Sequence, residues 1–231
     1  MLRSKISLNF YVFISSLLHK FMPNNRIKLK LEYFYWWLRS KKEKELNNDH
    51  FQPFFTTHFE IDLSFYDSKT ILDIGCGPRG SLEWATNSIT YAIDPLVDKY
   101  KKFGLDQHHT NYLNAVCEAI PFEDDYFDVI SSFNSLDHVD ELEQSIHEIK
   151  RVLKSNGTFL LIADIHNRKT ICEPNGFSWD IVEKFKPEFE LVSEKQYEGE
   201  NMYKSIRKGI RYNHENNKER YGVLMAKFIK S

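Results

Sequence analysis

One short segment constrains the fold more than any other: residues 71–80, with the sequence Ile-Leu-Asp-Ile-Gly-Cys-Gly-Pro-Arg-Gly. The residues before Gly75 predict a buried parallel strand, because a strand covered on both faces is apolar along most of its length. The glycines at positions 75, 77 and 80 predict a sharp turn whose backbone a ligand can approach closely. We expect a helix to start after Gly80, so the segment predicts an α/β protein with a ligand at the end of this strand.

A second apolar stretch, residues 89–93, ends at Asp94 and Pro95. A carboxylate about 19 residues after the first glycine can accept hydrogen bonds from ribose hydroxyls. Asp73 lies two residues before that glycine. A carboxylate there repels a pyrophosphate but can hold an ammonium group. The two acidic residues therefore favour S-adenosylmethionine over a dinucleotide as the ligand.

Three further blocks follow in order, at residues 118–130, 132–139 and 148–162. With them, the sequence resembles the class I S-adenosylmethionine-dependent methyltransferases over roughly residues 60–195. It is most similar to the small-molecule branch that includes the ubiquinone/menaquinone-type and sugar O-methyltransferases. The patterns that carry this resemblance are written here as IPF…FD and H…E…RVLKSNG.

The resemblance implies an α/β, Rossmann-like, doubly wound sheet of seven strands whose last strand is antiparallel. Residues 189–197 and 221–229 are the expected last two strands, and residues 177–185 a short helix. We expect residues 61–231 to form the methyltransferase domain and residues 1–60 an N-terminal helical lid.

The resemblance also implies which residues contact the methyl donor. The turn would admit the methionine part, Asp94 would hold the ribose, and Asn134 would lie close to the methionine part. Val116 stands where the family usually has the Asp of an Asp-Ala-Glu sequence, so we expect backbone groups, Cys117 and apolar packing to recognise the adenine. The full set of expected cofactor-binding residues is Asp73, Gly75, Cys76, Gly77, Asp94, Pro95, Cys117, Glu118 and Asn134.

Residues beyond the fourth and fifth strands are candidates for the chemistry, because ligands of open parallel sheets lie beyond the carboxyl ends of the strands. Sugar O-methyltransferases of this branch use a His and an Asp in these two places, so the resemblance implies His138 as general base and Asp164 as the carboxylate that orients the acceptor or the imidazole. The alternative for His138 is a residue that braces the loop or touches the donor. Asp137 and His166 are held in reserve.

Composition excludes some classes of function. A net charge of −2 over 231 residues gives no general attraction to nucleic acid. Three cysteines argue against a disulfide framework and predict a reducing, cytoplasmic location. No residues with metal-ligand spacing are recognised, and direct in-line displacement at the methyl carbon needs no metal.

Aromatic residues are dense in residues 31–38 and 51–59. This density is typical of a helical lid that covers the donor site and supplies part of the acceptor site. Packing against the sheet is the equally weighted alternative. The positions of most interest are Tyr33, Trp37 and His58.

Two other segments carry open alternatives. Residues 6–22 are interpreted as an amphipathic N-terminal helix, with contact to a membrane surface as the alternative. The polar residues 198–220 are interpreted as a solvated hairpin loop. In the alternative, the basic side chains of that loop meet a phosphate or an acidic sugar: Lys204, Arg207, Lys208 and Arg211.

The leading hypothesis is methyl transfer to a hydroxyl or amine of a small molecule, such as a sugar or glycan precursor. A nucleic-acid methyltransferase is disfavoured, because residues 133–136 are Phe-Asn-Ser-Leu instead of an Asn-Pro-Pro-Tyr type pocket for a flipped base. A non-catalytic S-adenosylmethionine-binding module and an NAD-linked oxidoreductase are the further alternatives. The sequence predicts no oligomeric state.

Overall fold

The computed structural model describes residues 24–44, 46–166, 168–199, 201–216 and 220–231. The amphipathic helix expected at residues 6–22 lies outside these residues. Within the described parts of the chain, none of the helices is both long enough and apolar enough to span a membrane.

A single mixed sheet of seven strands forms the centre of the fold, in the order β3-β2-β1-β4-β5-β7-β6. Strands β1 to β5 are parallel, and β7 lies antiparallel between β5 and β6. This topology confirms the predicted seven-stranded, Rossmann-like sheet with an antiparallel last strand. The strands are β1 (Thr70–Ile74), β2 (Ile89–Ile93), β3 (Asn111–Leu113), β4 (Phe127–Phe133), β5 (Leu153–Ile165), β6 (Phe189–Glu198) and β7 (Gly222–Lys230).

Helices cover both faces of this sheet. Alternate residues of each strand point to opposite faces, so Leu72 and Ile74 of β1 join one apolar cluster and Ile71 joins the other. The first cluster packs against the helix at residues 142–152 and the 3₁₀ helix Trp179–Phe185. The second packs against the helices at residues 52–55 and 202–208. The α-helices of the described residues are α1 (Asn24–Glu43), α2 (Gln52–Phe55), α3 (Val97–Tyr100), α4 (Leu142–Val152) and α5 (Met202–Lys208).

The helix expected after Gly80 does not form. Residues 81–84 make turns instead. The backbone N–H of Glu83 donates to the carbonyl of Gly80 at 3.3 Å and that of Ala85 to the carbonyl of Leu82 at 2.9 Å, both of the tight i to i+3 type. Because β2 already begins at Ile89, the connection closes through turns.

Residues 198–220 also differ from the expected solvated hairpin loop, because they contain α5. The side chain of Asn201 caps this helix by accepting from the backbone N–H of Lys204 at 3.0 Å. Met202 and Ile206 lie one helical turn apart, and both are buried against the second apolar cluster. This pair of apolar residues four positions apart explains why a mostly polar segment folds onto the sheet.

Four phenylalanines pack together where β5, β7 and the Trp179–Phe185 helix meet. The ring of Phe185 lies 5.1 Å from that of Phe159 and 5.0 Å from that of Phe228, between ring centroids. Phe189 completes the cluster, and each of the four side chains is at most 2% exposed. These rings close the far end of the core, away from the carboxyl ends of β1 and β4.

We expect Phe185→Ala to lower the free energy of unfolding by about 3–5 kcal/mol, because it removes a fully buried ring and leaves a cavity. Phe34→Ala is the matched control. Its ring on α1 is 42% exposed, so its removal should cost less than about 1 kcal/mol. Urea unfolding followed by circular dichroism measures both changes, and equal losses would contradict the packing described here.

Candidate active site

A cavity of about 1070 Å³ opens at the carboxyl ends of β1, β2, β4 and β5. Its walls include every residue that the sequence analysis predicted for cofactor binding or catalysis. These residues are Asp73, Gly75, Cys76, Gly77, Asp94, Pro95, Cys117, Glu118, Asn134, His138 and Asp164. The fold thus brings all of them to one site, whereas their individual roles stay predictions.

The glycine turn after β1 is packed too closely for larger residues. Gly75 and Gly77 have φ angles of 68° and 56°, in the left-handed region that favours glycine. A Cβ atom on Gly75 would lie 2.2 Å from the Cβ of Ser135, and one on Gly77 would lie 3.1 Å from the ring of Trp36. The turn therefore lies between the loop after β4 and helix α1.

Asp73 is a buried carboxylate directly beneath this turn, with a side chain held by two hydroxyls. Ser131 Oγ donates to its Oδ1 at 2.6 Å, and Ser81 Oγ donates to its Oδ2. Burial raises the pKa of Asp73 to about 6, against the effect of both hydrogen bonds. A cationic ligand group beside it would favour the ionised form.

Asp94 follows β2 and faces the same turn. The backbone N–H of Gly77 donates to its Oδ2 at 3.2 Å, and that of Leu96 donates to its Oδ1 at 2.8 Å. Burial raises the pKa of Asp94 to about 7, and the nearby charge of Glu32 adds to this effect. Carboxylate oxygens accept more than one hydrogen bond, so the side chain can bind ribose hydroxyls without losing these backbone contacts.

The predicted adenine end is already partly occupied by contacts within the protein. Cys117 is buried, and its Sγ donates to the carbonyl of Ser145 at 3.8 Å. Glu118 Oε1 accepts the backbone N–H groups of Asp140 and Glu141, at 2.7 and 3.1 Å. Although both residues line the cavity, the Glu118 carboxylate is thus committed to the chain that leads into α4.

Asn134 lies at the end of β4, in a conformation that presents its side chain to the cavity. Its φ angle is 54°, and its backbone N–H donates to the carbonyl of Ile162 at 2.8 Å. The Oδ1 atom of Asn134 is buried and has no hydrogen-bond partner among the described residues. This oxygen can accept a donor from a ligand.

Ionisable side chains gather at the other end of the cavity, beyond β4 and β5. Burial raises the pKa of Asp164 to about 7, with further increases from Asp137 and Glu173, while His138 opposes them. Burial opposes the charged form of His138, but the carboxylates of Asp137, Glu32 and Glu173 outweigh it, so the pKa of His138 is raised. The buried Oδ1 of Asp164 has no partner within the described residues.

The sequence offered no sign of a metal site at this end, yet the fold collects three possible ligands there. One oxygen each of Asp137 and Glu173 and one ring nitrogen of His138 all lie within 4.8 Å of one another. The signal was missed because Glu173 lies far along the chain from the Asp137-His138 pair. Only the meeting of the loops after β4 and β5 brings them together.

Helix α1 covers the cavity, but through different residues from those singled out in the sequence. Tyr33 stacks on Phe103 with 5.8 Å between ring centroids, Trp37 is 39% exposed, and neither lines the cavity. Trp36, one position earlier, lines it instead. A shift of one residue turns a helical side chain by about 100°, which a dense aromatic segment does not reveal.

His58 also lies away from the cavity, since its ring packs on Phe54 at 4.9 Å between centroids. His50 lines the cavity in its place. His58 lies in the second aromatic segment, residues 51–59, and His50 directly precedes it. That segment therefore serves both of the functions considered for it, core packing and cavity wall.

Arg79 is a functional residue that the sequence analysis passed over. Although it belongs to the glycine turn, it donates to the carbonyl of Asn47 at 3.0 Å and to Glu43 at 2.6 Å. Its guanidinium also lies over the ring of Trp36, at 5.5 Å from the centroid. These contacts join the glycine turn to α1. The position of Arg79 inside the glycine motif was the sequence feature that could have identified it as a site residue.

Helix α5 contributes a wall that the sequence analysis treated as solvent-exposed. Tyr203 and Arg207 line the cavity. Of the four basic residues considered for phosphate binding, Arg207 alone is among the described lining residues, and Lys204 is exposed. One basic side chain of this helix therefore reaches the site.

Comparison with known proteins identifies the central part of the chain. Residues 72–161 match the family described as "Methyltransferase domain". An uncharacterized protein of Methanocaldococcus jannaschii is 28% identical over 150 residues, 64% of this chain and 57% of that protein. Sterol 4-C-methyltransferase strm-1 of Caenorhabditis elegans is 29% identical over 113 residues, 45% of this chain and 34% of that enzyme. The chain thus spans between about a third and three fifths of the length of these curated relatives.

Solved structures agree on the fold. The crystal structure of the N-methyltransferase NodS from Bradyrhizobium japonicum aligns with a TM-score of 0.55 at 14% identity, over 79% of this chain and 97% of that one. The seven-stranded arrangement is therefore shared at low sequence similarity.

We expect Asp94→Asn to change how the stability of the ligand-free protein depends on pH. Because the pKa of Asp94 is raised to about 7, the folded protein holds a proton that the unfolded chain releases above about pH 4. Asp94 therefore destabilises the fold increasingly between about pH 4 and pH 7. The asparagine variant should gain about 1–2 kcal/mol relative to the wild type across this window.

Urea titrations between about pH 5 and pH 8 measure this difference. Asp98→Asn is the control, because the hydrogen bonds from Asn114 and Lys101 lower the pKa of this exposed carboxylate. Its contribution to stability is complete above about pH 4, so the difference between that variant and the wild type should not change between about pH 5 and pH 8. A pH-independent difference for Asp94→Asn would contradict the shifted pKa.

Proposed function

We propose, from the premise that this chain carries a class I S-adenosylmethionine-dependent methyltransferase domain, that it transfers the methyl group of S-adenosylmethionine to a hydroxyl or amine of a small molecule. One observation carries the proposal: a single cavity is walled by the residues at the carboxyl ends of β1, β2, β4 and β5. This edge of the sheet is where open α/β folds bind ligands.

Donor binding would use the half of the cavity formed by the glycine turn and Asp94. The left-handed turn lets the backbone approach the methionine part without side-chain collisions. Asp73 would face the ammonium group, and Asp94 the ribose hydroxyls. Oδ1 of Asn134, which has no hydrogen-bond partner within the described ranges, would accept from the amino group of the methionine part.

The acceptor would occupy the half of the cavity beyond β4 and β5. Its nucleophilic atom attacks the methyl carbon as the bond from sulfur to that carbon breaks, so S-adenosylhomocysteine leaves as a neutral thioether. Alignment of acceptor and sulfonium supplies much of the rate. The proton of the acceptor needs a receiving group nearby.

Asp164 fits that role better than His138. Its pKa of about 7 matches the value that proton transfer near neutral pH favours, and its Oδ1 is free of partners among the described residues. Against the effect of burial, the pKa of His138 is also raised, chiefly by the Asp137 carboxylate, and its Nε2 lies 3.9 Å from Asp137 Oδ2, so this ring already has a partner. We therefore propose that the predicted roles are exchanged, with Asp164 as base and His138 beside it.

A small polyhydroxylated acceptor, such as a sugar or glycan precursor, suits the chemistry of the walls. The carboxylates of Asp164 and Glu173 line the cavity, and carboxylates accept hydrogen bonds from hydroxyls. Helix α1 encloses the site through Glu32 and Trp36, which limits the size of the acceptor. This enclosure argues against a nucleic-acid strand as substrate.

We expect S-adenosylmethionine and S-adenosylhomocysteine to bind the purified chain, and NAD not to bind. Asp94→Ala should weaken both adenosyl ligands by about tenfold to a hundredfold, because it removes hydrogen bonds to a charged acceptor. Isothermal titration calorimetry measures the affinities. Asp98→Ala, at an exposed position on α3, is the control and should bind like the wild type. Unchanged affinity in Asp94→Ala would exclude the proposed ribose contact.

The assignment of Asp164 predicts a separate effect on turnover. Asp164→Asn should lower the rate of S-adenosylhomocysteine formation by about a hundredfold to ten-thousandfold, with donor affinity unchanged. The measurement uses a panel of hydroxyl- and amine-bearing acceptors, including nucleotide sugars and free sugars. Asp180→Asn, at an exposed position, should retain wild-type turnover. If Asp164→Asn also does so, the proton goes elsewhere.

A further inference from the structure

Three side chains from two loops meet beside the acceptor end of the cavity, which His138 and Glu173 line, with Asp137 buried next to them. The loop after β4 contributes Asp137 and His138, and the loop after β5 contributes Glu173. One ligand atom of each lies within 4.8 Å of the other two. Around a single divalent ion with bonds of about 2.0–2.2 Å, such atoms are about 3–4 Å apart, so the three atoms lie near the separation that one ion requires.

The state of Asp137 points independently to a ligand. Its side chain is 2% exposed, yet its Oδ1 has no hydrogen-bond partner among the described residues. His138 Nε2 is 3.9 Å from the other oxygen, Oδ2. A buried carboxylate oxygen without a partner is costly, and a cation bound by the Asp137 carboxylate would lower that cost.

Two histidines lie beside these carboxylates: His138 Nε2 is 3.9 Å from Asp137 Oδ2, and His166 Nε2 is 4.0 Å from Glu173 Oε2. Lysine and arginine side chains of the described residues do not pair with them. Lys28 approaches the site, but its ammonium donates to the backbone carbonyl of His138 at 2.8 Å and pairs with Asp140. Arg168 lines the cavity with an exposed side chain. The carboxylates of Asp137 and Glu173 therefore face histidine rings, without a lysine or arginine partner among the described residues.

The loops that carry the three residues are fixed to one another. Asn175 donates through its side chain to the carbonyl of Val139 at 2.7 Å and through its backbone to the carbonyl of Asp137 at 3.2 Å. Thr170 accepts the backbone N–H of Glu173 through its Oγ1 at 2.9 Å. These contacts hold Glu173 opposite the Asp137-His138 pair, as the supporting contacts of a binding site must.

We propose that Asp137, His138 and Glu173 bind a divalent first-row transition-metal ion at the acceptor end of the cavity. Mixed imidazole and carboxylate ligands favour ions such as Mn²⁺, Fe²⁺ and Zn²⁺ over Mg²⁺. Three protein ligands leave coordination positions open for an oxygen of the acceptor.

The role of the ion rests on the proposed function, whereas its binding does not. The acceptor is then a hydroxyl compound whose oxygen the ion coordinates, which lowers the pKa of the hydroxyl. As the new bond from oxygen to methyl carbon forms, the bond from sulfur to that carbon breaks and the hydroxyl proton passes to Asp164. The products are the methyl ether, S-adenosylhomocysteine and protonated Asp164, so atoms and charges balance.

Mn²⁺ titrated into the full chain tests the proposal without any acceptor. Electron paramagnetic resonance of free Mn²⁺ should show one saturable site in the wild type. Glu173→Gln should weaken it by at least about tenfold. Glu183→Gln is the matched control, because it removes an exposed carboxylate that pairs with Lys186, three residues further along the chain. That variant should bind Mn²⁺ like the wild type.

Calorimetry with S-adenosylmethionine in the presence of EDTA measures donor binding without any metal ion. Donor binding by a variant shows that the variant is folded and that its donor site is intact. No saturable Mn²⁺ site in the wild type, or equal binding in Glu173→Gln, overturns the metal proposal while intact donor binding leaves the proposed function in place. Loss of donor binding in the wild type would instead overturn the proposed function, whatever Mn²⁺ does.

Discussion

The contact between Gly75 and Ser135 is the constraint on which the site depends. No side chain larger than hydrogen fits at Gly75, because a Cβ atom would lie 2.2 Å from that of Ser135. Ser135 Oγ also donates to the carbonyl of Ile74 at 2.7 Å and shares a hydrogen bond with Ser132 Oγ. The ends of β1 and β4 are therefore locked together, and the donor turn keeps a fixed position relative to His138 and Asp137.

The sequence predicted the parts of the molecule that depend on local pattern. The strand that ends at Gly75, the carboxylate at Asp94 and the antiparallel last strand all follow from apolar periodicity, turn residues and the family resemblance. The absence of a helix after Gly80 did not follow, because the early start of β2 limits that connection. Helix α5 was hidden for a related reason, since three residues, Met202, Tyr203 and Ile206, anchor a mostly polar segment.

Contacts between distant segments were beyond the sequence. Trp36 and Trp37 are adjacent and chemically equal in the sequence, and only the rotation of α1 decides which one covers the glycine turn. No local sequence feature marks Glu173 as a site residue. Only its position opposite Asp137 and His138 in the fold indicates a role. Arg79 was closest to being found, because a buried arginine beside a ligand turn needs partners, which Glu43 and Asn47 supply.

The order of the walls along the chain has a consequence for how such a protein diverges. The expected donor contacts come from residues 73–134, whereas the enclosing helix α1 precedes them and the loop after β5 and helix α5 follow them. Insertions and substitutions in the two flanking parts can reshape what the cavity admits and leave the glycine turn untouched.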